Sequence, residues 1–119
     1  MTGPGERRIR VRATTRGGVT VIALDGALDS ETAPPAQQTV GALMPAGARV
    51  VLDLSRTSYL SSAGLRVLLV LYRQARGSGG RLALAGVPAE VRAVMSATGF
   101  LDALPVADTV EDGVAALAG

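Results

Sequence analysis

A buried strand, a short polar segment and a long apolar helix follow one another between residues 50 and 76. Residues 50–54 are almost all apolar, which is typical of a strand that is covered on both faces. From residue 62 to residue 76, apolar side chains recur at three- and four-residue steps, and this period predicts a helix. A strand that leads through a polar turn into an apolar helix indicates an α/β fold.

The remainder of the chain alternates predicted strands and helices in the same way. The predicted strands are residues 9–13, 19–24, 50–54, 81–85 and 104–106, and the predicted helices are residues 33–44, 62–76, 88–97 and 110–117. The order β-β-α-β-α-β-α-β-α returns the chain to the sheet after helical crossovers, which requires a mostly parallel sheet. We predict one small α/β domain at residues 8–119, with a mixed, mostly parallel sheet of four to five strands and about four helices. A flexible basic tail at residues 1–7 is expected to precede it.

The positive charge of the chain is concentrated near its N-terminus. Five of the twelve arginines and one acid precede residue 17, and the rest of the chain carries seven basic and nine acidic residues, a net charge of −2. A nucleic-acid binder carries its basic patch on the folded body, usually with aromatic side chains between the charges. Aromatic residues make up only 3% of this chain, so we predict no nucleic-acid partner.

Several kinds of chemistry are excluded because the residues they need are missing. The sequence contains no Cys, His or Lys, which excludes disulfides, thiolate metal sites, Ser-His-Asp triads and Ser-Lys dyads. The longest apolar stretch, residues 67–72, is too short to cross a bilayer, and residues 1–12 lack the apolar core of a signal peptide. We therefore expect a cytoplasmic protein with no catalytic residue, no metal site, no cofactor and no membrane insertion.

Two serines, Ser61 and Ser62, stand at the start of the predicted central helix. Unpaired backbone N–H groups and the helix dipole favour negative charge there, so a phosphate on either hydroxyl would be stabilised. Serine before an apolar helix is also an ordinary N-cap, which stabilises a helix by about 0.5–2 kcal/mol. The residues by themselves allow both interpretations, a structural cap and a switchable binding surface.

Neighbouring polar and glycine residues have structural interpretations of their own. Asp29 or Ser30 is the expected N-cap of the first helix, and Asp53 is expected to accept backbone N–H bonds from a turn at residues 58–62. Gly64 is expected to allow close approach by a partner or by the Asp29 turn. The aromatic residues are predicted to lie in or near the core: Tyr59, Tyr72 and Phe100.

Two motifs in this chain are similar to those of a known family. Residues 26–33 read Gly-Ala-Leu-Asp-Ser-Glu-Thr-Ala, which is similar to a G-x-L-D-x-x-T-A turn. Residues 51–65 form a strand and then Tyr-Leu-Ser-Ser-Ala-Gly-Leu, which is similar to a strand followed by D-S-S/T-G-L and a helix. Both motifs, and the order of elements around them, resemble the STAS domain and, within it, the bacterial anti-sigma factor antagonists. The resemblance spans about residues 9–117 and implies the STAS fold.

This resemblance implies a regulatory binding module rather than an enzyme. The unphosphorylated family member binds an anti-sigma factor, which is also a serine kinase, and so frees a sigma factor; a serine phosphatase resets the cycle. A phosphate adds about −1.5 to −2 charges, and desolvating them against a partner that accepts a small neutral serine is costly. The partner-binding residues implied by the resemblance are Asp29, Ser30, Thr32, Ser58, Ser61, Ser62, Ala63, Gly64 and Arg66.

The second motif departs from the family pattern at two positions. Ser61 stands where the family has Asp, and Ala63, directly before Gly64, has no hydroxyl that could accept phosphate. Three outcomes are open: phosphorylation of Ser62, phosphorylation of Ser61, or constitutive binding with no phosphate switch. We predict Ser62 as the acceptor, with Ser61 as the alternative.

Two other functions are weighed against this interpretation. The departures at Ser61 and Ala63 favour an alternative hypothesis. In it, the chain is a non-phosphorylated STAS adaptor subunit of a transport or other regulatory complex. An acid-base enzyme that uses Asp29 and Asp53 is the least favoured reading, since carboxylates alone on so small a domain support few reaction types.

Overall fold

The computed structural model describes residues 8–118, so the predicted tail at residues 1–7 lies outside the described part of the chain. The strands within it are β1 (Ile9–Arg16), β2 (Val19–Leu28), β3 (Arg49–Asp53), β4 (Thr57–Leu60), β5 (Arg81–Ala85) and β6 (Val106–Ala107). The helices are α1 (Ala33–Ala42), α2 (Ser62–Gly77), α3 (Ala89–Ala97), α4 (Phe100–Ala103) and α5 (Val110–Ala118). Each predicted strand and helix therefore has a counterpart, and β4 and the short α4 are additional.

The strands form one mixed sheet in the order β1-β2-β3-β5-β6. β1 and β2 are antiparallel and form the predicted hairpin, whose turn is made by Gly17 and Gly18 at φ values of 54° and 79°. Positive φ is unstrained only for glycine, so this pair suits a tight hairpin turn. The pairs β2–β3, β3–β5 and β5–β6 are all parallel, as the helical crossovers require. The predicted small α/β domain with a mixed, mostly parallel sheet is confirmed.

β2 is longer than predicted because it has two parallel neighbours in succession along one edge. Its residues 20–23 pair with β3, and its residues 26–28 pair with β4. The prediction of a strand that ends at residue 24 is therefore too short, and the predicted turn at residues 58–62 is wrong in part, since residues 25–28 and 58–60 lie in strands. Thr57 fixes the added pairing, because its buried hydroxyl donates a hydrogen bond of 2.8 Å to the Leu24 carbonyl. This pairing places the end of β4, and hence the start of α2, beside the end of β2.

Helices cover the two faces of the sheet unequally. α1, α2 and α3 pack on one face and form the larger core with residues such as Ile22 and Leu24 of β2. α5 covers the opposite face, where Leu117 packs with Val21 and Val51. No helix within residues 8–118 is both long enough and apolar enough to span a membrane.

Candidate functional site

Ser61 is the N-cap of α2, which confirms the structural role predicted for a serine at this place. Its backbone is extended, and its side-chain oxygen accepts a hydrogen bond of 3.3 Å from the Gly64 N–H. The Ser61 N–H donates to the Leu28 carbonyl at 3.0 Å, and its hydroxyl lies 3.4 Å from the same oxygen. The half-buried Ser61 therefore ties the first turn of α2 to the last residue of β2.

Ser62 is the first residue of α2, and its side chain is exposed. The first helical hydrogen bond is made by the Leu65 N–H to the Ser61 carbonyl, so the N–H groups of Ser62 and Ala63 precede the helical ladder. These groups and the helix dipole create a positive potential around the Ser62 hydroxyl. Ser62 thus presents a hydroxyl to solvent in surroundings that favour an anion.

Gly64 packs the start of α2 tightly against the end of β2. A Cβ added there would lie 2.5 Å from the Leu28 carbonyl oxygen and 2.8 Å from Cδ1 of Leu60. The close approach predicted for this glycine is therefore made by the segment that leads into Asp29. Gly64 is buried by that segment, and its predicted contact with a partner stays a prediction.

The turn between β2 and α1 is closed by reciprocal hydrogen bonds between Asp29 and Thr32. The Asp29 carboxylate accepts from the N–H groups of Glu31 at 2.9 Å and Thr32 at 3.1 Å. The Thr32 hydroxyl accepts from the Asp29 N–H at 2.9 Å and donates to the Ala27 carbonyl at 2.6 Å. Thr32 stands directly before α1, but its side chain makes no capping bond. The capping bonds come from Asp29, as predicted, because its carboxylate accepts from the N–H groups of Glu31 and Thr32 and its carbonyl accepts from the Ala33 N–H at 2.8 Å.

Thr32 and Asp29 are both buried, but Asp29 keeps an exposed edge. Thr32 is 2% exposed and its hydroxyl is bonded within the turn, so its structural role is clear while its contact with a partner stays a prediction. Asp29 is 8% exposed, and its carboxylate is bonded within the turn although one edge of it lines the surface. Asp29 therefore shapes the turn, while Ser30 and Glu31 are its exposed residues.

The Asp29 turn and the start of α2 together form one shallow surface, which we call the serine depression. It is lined by Asp29, Ser30, Glu31, Tyr59, Ser61, Ser62 and Ala63. The two motifs, about thirty residues apart in the chain, thus meet at one place, as expected for segments that follow neighbouring strand ends. The described residues that line it include no cation.

Glu31 and Tyr59 belong to this surface although the sequence reasoning did not place them there. Tyr59 was predicted in or near the core, but 54% of it is exposed. β4 supplies the reason: its pairing with β2 shifts register after Thr57, so side chains do not simply alternate, and Ser58 and Tyr59 are both exposed between the buried Thr57 and Leu60. The other two aromatic residues, Tyr72 and Phe100, do pack against the core as predicted.

Three other candidate residues lie outside the serine depression. Ser58 and Arg66 are exposed, on β4 and α2 respectively, but neither lines the depression. The Asp53 carboxylate accepts a hydrogen bond of 3.0 Å from the Ser55 N–H. It therefore holds the turn between β3 and β4, and the prediction that it holds residues 58–62 is wrong.

Comparison with known proteins gives a consistent set of relatives. A sequence profile described as the STAS domain matches residues 10–113. BtrV of Bordetella bronchiseptica, named as an anti-sigma factor antagonist, is 40% identical over 100 residues, which are 83% of this chain and 86% of that protein. The crystal structure of an anti-sigma factor antagonist from Mycobacterium paratuberculosis is 26% identical, with a TM-score of 0.84 and coverage of 100% of both chains.

A more distant structure shares the fold. The phosphorylated form of SpoIIAA, a cell fate determinant of Bacillus, superposes with a TM-score of 0.64 at 21% identity. The match covers 91% of this chain and 97% of that chain. The fold is therefore preserved across relatives whose sequences differ at about four residues in five.

Proposed function

This chain belongs to the STAS domain family and, within it, to the anti-sigma factor antagonists, and we propose on that basis that it binds an anti-sigma factor. Anti-sigma factor antagonists are regulators rather than enzymes. Binding of the anti-sigma factor by this chain would free a sigma factor for transcription. The proposal requires the chain to meet its partner in the cytoplasm, where transcription takes place.

The observation that carries this proposal is the meeting of the two family motifs at the serine depression. The exposed hydroxyl of Ser62 lies there beside Ser30 and the edge of Asp29. The depression is open and lacks the enclosed, largely apolar shape of a small-molecule pocket, which favours a protein partner. We assign the central contact to Ser30, Ser62 and Ala63, with Ser58 and Arg66 as outer contacts.

We further propose that a serine kinase phosphorylates Ser62 and that a serine phosphatase reverses the modification. Ser62 is exposed, whereas the Ser61 oxygen accepts the capping bond from Gly64 and lies against the Leu28 carbonyl. Phosphorylation of Ser61 would break that cap, so the geometry favours Ser62. In SpoIIAA a phosphorylated form has been described, and that likeness supports a phosphate switch here.

A phosphate on Ser62 would weaken binding chiefly through its desolvation and bulk. It adds about −1.5 to −2 charges. The N–H groups of Ser62 and Ala63 can stabilise that charge in the free protein. A partner that docks against a small hydroxyl must then strip water from the dianion, which costs several kcal/mol when the pairing is imperfect.

The test pairs a binding measurement with intact-mass analysis. A panel of purified anti-sigma factors from the organism that carries this chain is titrated against it, and each complex is then incubated with ATP. We expect one to bind and to add a single phosphate to the wild type and to Ser61→Ala, but none to Ser62→Ala. Ser96→Ala, on α3 and outside the depression, serves as the control for loss of an exposed hydroxyl.

Each outcome of this test has a distinct meaning. If no anti-sigma factor binds, the proposed function is refuted. If one binds but neither Ser61 nor Ser62 is modified, the chain is a constitutive binder and the phosphate switch alone is refuted. Phosphate on Ser61 in the wild type would move the switch to the capping residue.

A further inference from the structure

Tyr59 is exposed in a place where the fold does not need an aromatic side chain. It is 54% exposed, whereas its strand neighbours Leu60 and Thr57 are 4% and 2% exposed and supply the contacts that hold β4. Tyr72 and Phe100 pack against the core. An aromatic ring left in water gains little stability for the fold, so its presence on the serine depression needs another explanation.

Interfaces supply that explanation, because aromatic side chains are enriched among the residues that dominate binding energy. A tyrosine buries a large rigid area with little loss of side-chain freedom, and its hydroxyl can stay hydrogen-bonded at the rim. Two other large apolar residues in the described part of the chain are exposed, Leu43 at 37% and Val94 at 40%. Neither of them lines the serine depression, so Tyr59 is the large apolar residue placed next to Ser62.

Glu31 gives this surface its charge. It is exposed, lines the depression with Tyr59, and makes no ion pair within the described residues. The other charged residue in the lining, Asp29, is also acidic, and its carboxylate is bonded to backbone N–H groups of its own turn. A partner that covers this surface therefore meets an aromatic ring and an exposed carboxylate together with the serine pair.

We propose that Tyr59 and Glu31 are the docking residues of the serine depression, and that they fit a basic surface of the anti-sigma factor. Tyr59 enters an apolar recess of that partner, and Glu31 pairs with an arginine or lysine at the rim of the recess. This inference rests on the proposed function and specifies the chemistry of its partner. Ser62 lines the same depression, so a phosphate there changes the surface that carries both contacts.

Affinity measurements on matched variants test this docking. With the anti-sigma factor that binds the wild type, Tyr59→Ala is expected to lower affinity roughly 10- to 30-fold, and Tyr59→Phe to retain most of it. Glu31→Lys is expected to lower affinity about 10-fold, chiefly through slower association. The controls are Val94→Ala, which removes exposed apolar area elsewhere, and Glu90→Lys, which reverses an exposed acid on α3.

Salt dependence tests the sign of the partner's charge. Affinity of the wild type should fall as salt rises, because attraction between exposed charges is screened. Glu31→Gln should make that fall shallower, whereas Glu90→Gln should leave it unchanged. An affinity that rises with salt would overturn the basic partner surface.

The failure of this docking is distinguishable from failure of the proposed function. If the wild type binds and Tyr59→Ala binds equally well, or no worse than Val94→Ala, docking through Tyr59 is overturned while the function stands. If the wild type binds no anti-sigma factor, both are overturned. Thermal unfolding of each variant at the wild-type temperature confirms that a loss of affinity is not a loss of folding.

Discussion

The starts of α1 and α2 lie side by side and use the same capping chemistry with different results. At α1, Asp29 and Thr32 are both buried and bond to each other's backbone N–H groups. At α2, Ser61 is half-buried and caps the helix, while Ser62 is exposed. One helix start is thus closed by its polar residues, and the other leaves one hydroxyl open to solvent.

The difference shows how one surface can be both rigid and modifiable. The closed start at α1 forms a fixed wall of the serine depression. Ser61 then anchors α2 to that wall through the Leu28 carbonyl, so the exposed Ser62 is held at a defined place. A modification at Ser62 can therefore change the surface without unfolding the helix start that carries it.

The largest expected loss of stability comes from pushing the start of α2 away from the end of β2. In Gly64→Ala the new Cβ would lie 2.5 Å from the Leu28 carbonyl oxygen, which belongs to the backbone and cannot move aside easily. We expect the free energy of unfolding to fall by about 3 kcal/mol, at the upper end of typical overpacking costs. Urea denaturation followed by circular dichroism measures it.

Gly77 provides the matched control on the same helix. An added Cβ at this position has no heavy atom within 4 Å. Gly77→Ala should therefore be neutral or stabilising by about 0.5 kcal/mol, since alanine is the better helix former. Equal losses at both glycines would mean that the approach of α2 to β2 is not what makes Gly64 necessary.

The second-largest expected loss of stability comes from removing the buried hydroxyl of Thr32 before α1. Thr32→Val keeps the shape of the side chain but removes the hydroxyl that accepts from the Asp29 N–H and donates to the Ala27 carbonyl. Two buried backbone groups lose a partner, so we expect a destabilisation of about 2 kcal/mol. The same denaturation measurement applies, and exposed Thr39 of α1 gives the control: Thr39→Val should change stability by less than about 0.5 kcal/mol.

Sequence reasoning was sufficient for features that depend on local residues. The period of apolar residues predicted α2, the serine before it predicted the N-cap, and Thr109 does accept a bond from the Asp112 N–H at the start of α5. The resemblance stated from two motifs is confirmed by the STAS profile and by the 40% identity to BtrV. The predicted choice between Ser61 and Ser62 as acceptor stays a prediction.

Features that depend on pairing between distant residues could not be predicted in this way. β4 exists because residues 57–60 pair with the end of β2, about thirty residues earlier, and its polar composition indicated a turn. The exposure of Tyr59 follows from that strand. The structural role of Thr32 was missed because its hydroxyl bonds to the Ala27 carbonyl, whose position depends on the extension of β2.

The smallest expected changes in stability are those of alanine substitutions at the two serines, Ser61 and Ser62. Ser61→Ala removes the capping oxygen that accepts from the Gly64 N–H, and we expect a loss of about 1 kcal/mol. Ser62→Ala removes an exposed hydroxyl and should change stability by less than about 0.5 kcal/mol. Both are measured by denaturation in parallel. If Ser62→Ala were the more destabilising, Ser62 would hold the helix start, and the separation of a structural serine from a modifiable one would be refuted.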